Sequence, residues 1–121
     1  IKLYFSRLAS NKDENPVVFQ IKEYLHQNYA VPSLSVPDIS EHVRLSPTYV
    51  CTLFKNETGQ TLNQYLTDYR IKMSKQFLSD PLYKITDISA KVGYSDGNYY
   101  SKAFRKIVGL SPSEYREKML S

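Results

Sequence analysis

Residues 87–115 read DISAKVGYSDGNYYSKAFRKIVGLSPSEY, and residues 38–65 read DISEHVRLSPTYVCTLFKNETGQTLNQY. The second stretch is an imperfect earlier copy of the first. The offset between matching residues is 49 at the start and 50 from Tyr49 onward, so one residue is inserted near Gly97. An internal repeat of this length indicates two copies of one structural unit. The matching pairs include Asp38/Asp87, Ile39/Ile88, Ser40/Ser89, Val43/Val92, Phe54/Phe104, Lys55/Arg105, Gly59/Gly109 and Tyr65/Tyr115.

Helix-start residues and helical spacing of apolar residues cover most of the chain. No segment shows the sustained alternation that is typical of strands. The sequence therefore predicts an all-α protein with about seven helices. The expected helices cover 16–29, a short segment opened by Ser35, a segment opened by Ser46-Pro47 that ends near Gly59, and then 62–79, 85–92, 96–108 and 112–119.

Each copy consists of a short helix, a turn and a second helix that begins at a serine, Ser46 or Ser95. This is the helix-turn-helix arrangement, whose second helix lies in the DNA major groove. We expect the two units at about 35–59 and 84–109. The helix 62–79 joins them, and at about 1.5 Å per residue it spans roughly 27 Å. Residues 16–121 form the predicted domain, and 1–15 the end of an interdomain linker.

Charge and composition favour an anionic partner. The net charge of the 121 residues is +4, and the excess lies wholly in residues 61–121, which hold ten Lys or Arg against six Asp or Glu. A basic half suggests nucleic acid. No apolar run approaches membrane-spanning length. A single cysteine fits a reducing compartment, so we expect a cytoplasmic protein. Because the chain begins at Ile1, we expect it to be a fragment of a longer protein.

Catalysis is not indicated. His26 and His42 are the only histidines. The sequence has no Cys/His spacing for zinc, no glycine-rich phosphate loop and no recognisable Ser–His–acid set. We predict no enzymatic activity, no metal and no cofactor.

The stretch VGYSDGNYYSKAFRKIVGLSPSEYR, 92–116, resembles the signature of the AraC/XylS family of bacterial transcription regulators. The shared features are an aromatic residue before a serine, Phe-Arg-Lys, a glycine and Ser-Pro-x-x-Tyr-Arg. The resemblance covers roughly 20–120. It implies two helix-turn-helix subdomains that contact adjacent major grooves. It also implies an additional N-terminal sensory, receiver or dimerisation domain, and RNA polymerase as a partner.

Candidate DNA contacts in the second copy lie on one helical face. Asn98, Ser101 and Lys102 are expected on the groove side, with Tyr99 at the entrance. Asn pairs with adenine, Lys donates to guanine, and Ser accommodates several bases. Arg105 and Lys106, together with Lys84 before the preceding helix, are expected to contact phosphates. The alternative is a solvated polar face.

The corresponding set in the first copy is Thr48, Cys51 and Thr52, with Lys55 near the DNA backbone. Many members of the family carry an arginine where Thr52 stands, so this chain departs from the pattern. Base discrimination by this copy is therefore either modest or shifted to Thr48 and Tyr49. Cys51 also suits a redox sensor, although a small structural residue is the simpler interpretation.

These residues favour sequence-specific binding of double-stranded DNA, at an asymmetric site because the copies differ. The alternative is a helical protein-interaction module that docks on RNA polymerase or a regulatory partner. Away from the contact faces, Arg70 is expected to pair internally, and most tyrosines to pack between helices. Arg116 is expected to cap the last subdomain or to pack against it.

Overall fold

A computed structural model describes residues 14–121 of the protein. This part of the chain contains seven helices and no strand, as the sequence predicts. The helices are α1 (Pro16–Asn28), α2 (Val36–Val43), α3 (Pro47–Thr58), α4 (Leu62–Leu78), α5 (Ile85–Lys91), α6 (Gly97–Val108) and α7 (Pro112–Leu120). The predicted linker end, 1–15, lies almost entirely outside the described residues. None of the helices in 14–121 combines the length and the apolar character that crossing a bilayer requires.

The chain divides into two compact units. Within the described residues, the first unit comprises 14–27 together with Ser35–Leu62, and the second comprises Asn28–Leu34 together with Asn63–Ser121. The first unit therefore contains α1, α2 and α3, and the second contains α4 to α7. Each unit carries one of the two sequence copies and buries its own apolar residues.

The first unit is built on the apolar stripe of α1. The helix begins at Asn15, whose Oδ1 accepts a hydrogen bond from the backbone N–H of Val17 at 2.8 Å, and Pro16 takes the first helical position. This is the usual start of a helix, because proline lacks the N–H that would have no partner there. The buried apolar residues of the unit are Val18, Ile21, Leu25, Ile39, Val50, Phe54 and Leu62.

The first helix-turn-helix is formed by α2 and α3, which pack against each other. The Asp38 carboxylate accepts hydrogen bonds from the backbone N–H and the hydroxyl of Ser35, both at 3.0 Å, and this fixes the start of α2. The helix ends at Arg44, which has the left-handed φ of 60°. Ser46 begins α3 by accepting the backbone N–H of Tyr49 at 3.2 Å.

The second unit buries a larger aromatic core. α5 packs against α6, and α6 packs against α7. The rings of Tyr100, Phe104 and Tyr115 meet edge to face in succession, with centroids 5.9 and 5.5 Å apart. Edge-to-face contacts of this kind stabilise a core beyond the area that they bury. The buried apolar residues of this core are Ile71, Leu78, Ile88, Val92, Tyr94, Tyr100 and Phe104.

The start of α6 differs from the sequence prediction. We expected Ser95 to begin the helix, but Asp96 does so, and its Oδ1 accepts the backbone N–H of Asn98 at 2.9 Å. The inserted residue therefore lies in the turn before Asp96. The prediction of Ser95 was wrong because Asp96, one residue closer to the helix, supplies an equally good acceptor. Elsewhere the predicted helix ends agree with the structure to within a residue.

Candidate nucleic-acid interface

The two second helices, α3 and α6, are equivalent in length and in burial. Both have twelve residues and end at a glycine with positive φ, Gly59 at 81° and Gly109 at 90°. Residues 51–60 and 101–110 show the same order of exposed, half-buried and buried positions. Each helix buries one face through Val50 and Phe54 or through Tyr100 and Phe104, and leaves the opposite face exposed.

The exposed face of α3 holds the predicted first-copy contacts. Thr48, Cys51, Thr52 and Lys55 are all exposed, and their spacing places them along one stripe of the helix. Tyr49 lies beside this stripe with 51% of its surface exposed. Threonine and cysteine side chains are short, so α3 must approach base edges closely to contact them.

The exposed face of α6 holds the predicted second-copy contacts. Asn98, Ser101, Lys102 and Arg105 are exposed along the equivalent stripe. Tyr99 is 66% exposed, and its ring centroid lies 6.0 Å from that of Tyr94. This face therefore offers an amide, a hydroxyl and cations, which are the groups that discriminate base edges in the major groove.

The residues predicted to contact phosphates are exposed, but two of them already have partners within the protein. The Lys55 ammonium donates to the Gly59 carbonyl at 3.2 Å, at the end of its own helix. Arg105 pairs with Glu114 at 3.3 Å, and because both side chains are mostly exposed this ion pair contributes little to stability. Lys106 and Lys84 are exposed, and Lys84 lies at the start of α5, outside the exposed face of α6.

Glu114, which pairs with Arg105 of α6, also fixes the start of α7. Its carboxylate accepts the backbone N–H of Ser111 at 2.8 Å, and the Ser111 hydroxyl accepts the backbone N–H of Glu114 at 3.1 Å. Hydrogen bonds that the backbone N–H and the hydroxyl of Ser111 donate to the carboxylate, with a smaller contribution from Arg105, lower the pKa of Glu114. The ion pair with Arg105 is thus held at the start of α7.

The turn before α6 is supported by Arg70. Its Nε donates to the Tyr29 carbonyl at 2.8 Å, and one of its terminal nitrogens donates to the Val31 carbonyl at 2.9 Å. This is the internal role that the sequence predicted. The guanidinium also lies 5.5 Å from the Tyr94 ring centroid, and burial lowers the pKa of Arg70. The sequence did not reveal the carbonyl partners, because they lie some forty residues away along the chain.

Gly93 lies so close to Arg70 that there is no space for a side chain at position 93. Its φ is 97°, and a Cβ at this position would lie 2.4 Å from the Tyr29 carbonyl oxygen and 2.7 Å from the Arg70 Nε. The equivalent position in the first turn is Arg44, which adopts φ 60° with a full side chain. A left-handed residue is therefore required in both turns, but glycine is required only in the second.

The end of α4 is held by Arg116. Its Nε donates to the Leu78 carbonyl at 2.9 Å, and its terminal nitrogen donates to the Asp80 carbonyl at 3.1 Å. These bonds satisfy carbonyls that the helix end leaves without intrahelical partners. Arg116 therefore caps the end of α4, the helix that joins the two copies, and is not part of the exposed face of α6.

The two units carry opposite charges. Within the described residues, the first unit holds three Lys or Arg and five Asp or Glu, and the second holds ten and six. The contrast extends to the recognition helices: α3 holds Lys55 and Glu57, whereas α6 holds three cations and no acid. Within the described residues, the positive charge is therefore concentrated in the second unit.

Two helix-turn-helix units with exposed, donor-rich second helices define the class of helix-turn-helix DNA-binding proteins. Comparison with known proteins agrees with this class. The family model of the helix-turn-helix domain matches residues 39–118. The Msm operon regulatory protein of Streptococcus mutans is 36% identical over 110 residues, which cover 91% of this chain and 39% of that protein.

Solved structures give the same result. The C-terminal domain of AraT, a response regulator from Geobacillus stearothermophilus, is 28% identical with a TM-score of 0.84, and the match covers 88% of each chain. The DNA-binding domain of AdpA, solved in complex with a target DNA, has a TM-score of 0.77 over 87% of this chain and 93% of that one. At 19% identity, the second likeness shows the fold alone.

The chain belongs to the AraC-type helix-turn-helix family, the DNA-binding domains of transcription regulators. It spans about two fifths of the length of the curated relatives that it matches. The resemblance noted in the sequence is thus confirmed, both for the family and for the all-helical fold with two helix-turn-helix units.

Proposed function

We propose that the chain binds one asymmetric double-stranded DNA site through α3 and α6, which enter adjacent major grooves about one helical turn apart. The observation that carries this proposal is the duplication: two helices of equal length, burial pattern and end geometry expose different polar faces. Because the faces differ, the two halves of the site differ in sequence, and no palindrome is needed.

Base contacts are assigned to the exposed stripes. In the first half-site they come from Thr48, Cys51 and Thr52, which suit packing on a thymine methyl group. In the second half-site, Asn98 suits adenine, Lys102 suits guanine, and Ser101 and Tyr99 complete the surface. The second half-site then carries most of the sequence preference, because only α6 offers side chains of this length and donor capacity.

Phosphate contacts are assigned to the four exposed cations of the prediction, Lys55, Lys84, Arg105 and Lys106. Two of these cations must give up a partner within the protein before they bind a phosphate. Lys55 must release the Gly59 carbonyl, and Arg105 must release the Glu114 carboxylate. Both internal contacts are solvent-exposed, so the exchange costs little. Affinity should fall steeply with salt as these cations release counterions from DNA.

Partners outside the DNA are also proposed. The solved AraT fragment is the C-terminal domain of a response regulator, and the curated relatives are more than twice as long as this chain. This supports an additional sensory, receiver or dimerisation domain. The resemblance to the family further leads us to propose a cytoplasmic regulator that acts with RNA polymerase.

A selection of bound duplexes from a random pool, followed by fluorescence anisotropy, tests the proposal. We expect affinity for the selected site to exceed affinity for random duplex by roughly 10³ or more at physiological salt. A ratio below about tenfold would contradict sequence-specific binding and would instead support the protein-interaction alternative, with DNA affinity incidental.

A further inference from the structure

The first recognition helix, α3, has few charges with which to hold DNA. Lys55 is its only cation, Glu57 is an acid two residues further on, and the Lys55 ammonium already donates to Gly59. The described part of the unit around it is acidic. A helix that enters a major groove still needs contacts to the phosphate backbone, because such contacts fix its position on the duplex.

Tyr49 is the side chain of α3 best placed to supply one. It has 51% of its surface exposed, and Ser46 fixes the backbone of this first turn by accepting the Tyr49 N–H at 3.2 Å. Successive residues of a helix differ by about 100° in direction. When Thr48, Cys51 and Thr52 face the base edges, Tyr49 consequently faces a wall of the groove, which consists of phosphates.

The second unit shows that an aromatic side chain at this position is a property of both copies. Tyr99 occupies the equivalent place in α6 and is 66% exposed. Its surroundings differ, because it packs beside Tyr94 and shares its helix with Lys102, Arg105 and Lys106. α6 therefore has Arg105 and Lys106 for phosphate contacts, whereas α3 has only Lys55.

We propose that the Tyr49 hydroxyl donates a hydrogen bond to a DNA phosphate and anchors the first recognition helix through a neutral donor. This inference rests on the proposed function, because it assumes that α3 enters a major groove. A hydrogen bond to a charged phosphate is among the stronger kinds. A neutral donor displaces no counterion, so its contribution does not weaken with salt in the way that a lysine contact does.

The two halves of the site should then respond differently to salt. Binding through α6 weakens as salt rises, whereas the Tyr49 contact persists. The factor that Tyr49 contributes to affinity should therefore be the same at every salt concentration and for every DNA sequence.

Anisotropy titrations on the selected duplex between about 50 and 200 mM salt test this with Tyr49→Phe, which removes only the hydroxyl. We expect about tenfold weaker binding at every salt concentration, unchanged base preference and an unchanged slope of log K against log salt. Lys106→Ala provides the cationic comparison, and its slope should fall by about one. Tyr115→Phe, whose ring packs against Phe104, controls for loss of a hydroxyl elsewhere and should bind like the wild type.

Three results would overturn the inference. Tyr49→Phe could bind like the wild type, which would show no phosphate contact. It could change preference at one base pair, which would make Tyr49 a base contact. Finally, the wild type could fail to distinguish the selected from the random duplex. That last result would reject the proposed function itself and the inference with it, whereas the first two leave specific binding intact.

Discussion

The two helix-turn-helix units use nearly the same backbone for different surface chemistry. The lengths of α3 and α6, their burial order and their glycine ends coincide. The turns before them do not, since Arg44 occupies the left-handed position in one and Gly93 in the other. The charges of the described residues differ as well, with an acidic first unit and a basic second unit. Duplication has preserved the order of buried and exposed positions in these helices, while the exposed face and the turn have diverged.

This difference shows which constraints are structural. A buried position must match its neighbours in volume, so Phe54 and Phe104 are the same residue, whereas Val50 and Tyr100 belong to cores of different size. An exposed position has no such requirement, so Thr52 and Lys102 differ completely. Much of the divergence on the exposed face therefore falls where DNA contact is proposed.

The largest effect is expected from Gly93→Ala. The new Cβ would collide with the Tyr29 carbonyl and with Arg70, at a φ that L-residues disfavour. We expect a loss of about 3 kcal/mol in the free energy of unfolding, measured by chemical denaturation with far-UV circular dichroism. Gly109→Ala is the matched control, because its φ is also positive but nothing lies within 4 Å. It should lose about 1 kcal/mol.

The equivalent exchange in the first unit should be mild. Arg44→Gly removes the strain of a non-glycine residue with a left-handed φ, but it gives the unfolded chain more backbone freedom. These two effects on the free energy of unfolding should offset each other to within about 0.5 kcal/mol. Equal losses for Gly93→Ala and Gly109→Ala would show that the contact with Arg70 does not restrict the second turn.

The second effect concerns the two kinds of contact within α6. Lys102→Ala should relax preference at one base pair, with about a tenfold change in discrimination. Lys106→Ala should weaken binding to all sequences alike and lower the salt slope by about one. Both are measured by anisotropy on duplexes with single base-pair changes. Identical behaviour of the two variants would contradict the division between base and phosphate contacts.

The third effect uses Cys51, the only cysteine of the chain and an exposed residue of α3. Because α3 should be covered by DNA, a saturating specific duplex should slow maleimide modification of Cys51 about tenfold or more, as followed by intact mass spectrometry. Modified protein should bind the specific site less well, and Cys51→Ser should be insensitive to the reagent. An unchanged rate in the presence of the duplex would place α3 outside the interface.

The smallest effect at neutral pH is expected from Tyr100→Phe. Val50 occupies the equivalent position in the first unit, so only the second core contains a hydroxyl here. Within the described residues no hydrogen bond of standard geometry reaches the buried Tyr100 hydroxyl; burial raises its pKa to about 12, an effect that the nearby Ser74 hydroxyl partly offsets. Removing the Tyr100 hydroxyl should change the melting temperature little at pH 7, because no hydrogen bond of standard geometry is lost. A fall of several degrees would reveal a partner for this hydroxyl.

Alkaline pH gives the same residue a second readout. The native state retains the Tyr100 proton up to about pH 12, whereas the unfolded state loses it near the ordinary value of 10. Stability should therefore fall as pH rises from 10 to 12, by up to about 1.4 kcal/mol per pH unit from this group. Tyr100→Phe should show a shallower decline, although Tyr29 and Tyr94, whose pKa values burial also raises, remain.

Much of the fold was predictable from the sequence because its signals are local. Proline and serine pairs such as Ser46-Pro47 mark helix starts, and helical spacing marks the buried faces. The error at Ser95 arose because Asp96 beside it is an equally good cap. The support of Gly93 by Arg70 was not predictable in detail, because it depends on carbonyls of a distant segment. The candidate contacts were predictable as exposed positions, whereas the internal partners of Lys55 and Arg105 are seen only in the structure.

The most direct test of the account is a complete panel of single base-pair variants of the selected site, measured with the wild type, Thr52→Ala and Lys102→Ala. The account predicts that the two substitutions relax preference at two separate groups of base pairs, about one helical turn apart. If both substitutions affected the same base pairs, or neither affected any, the two helices would not contact separate halves of one DNA site.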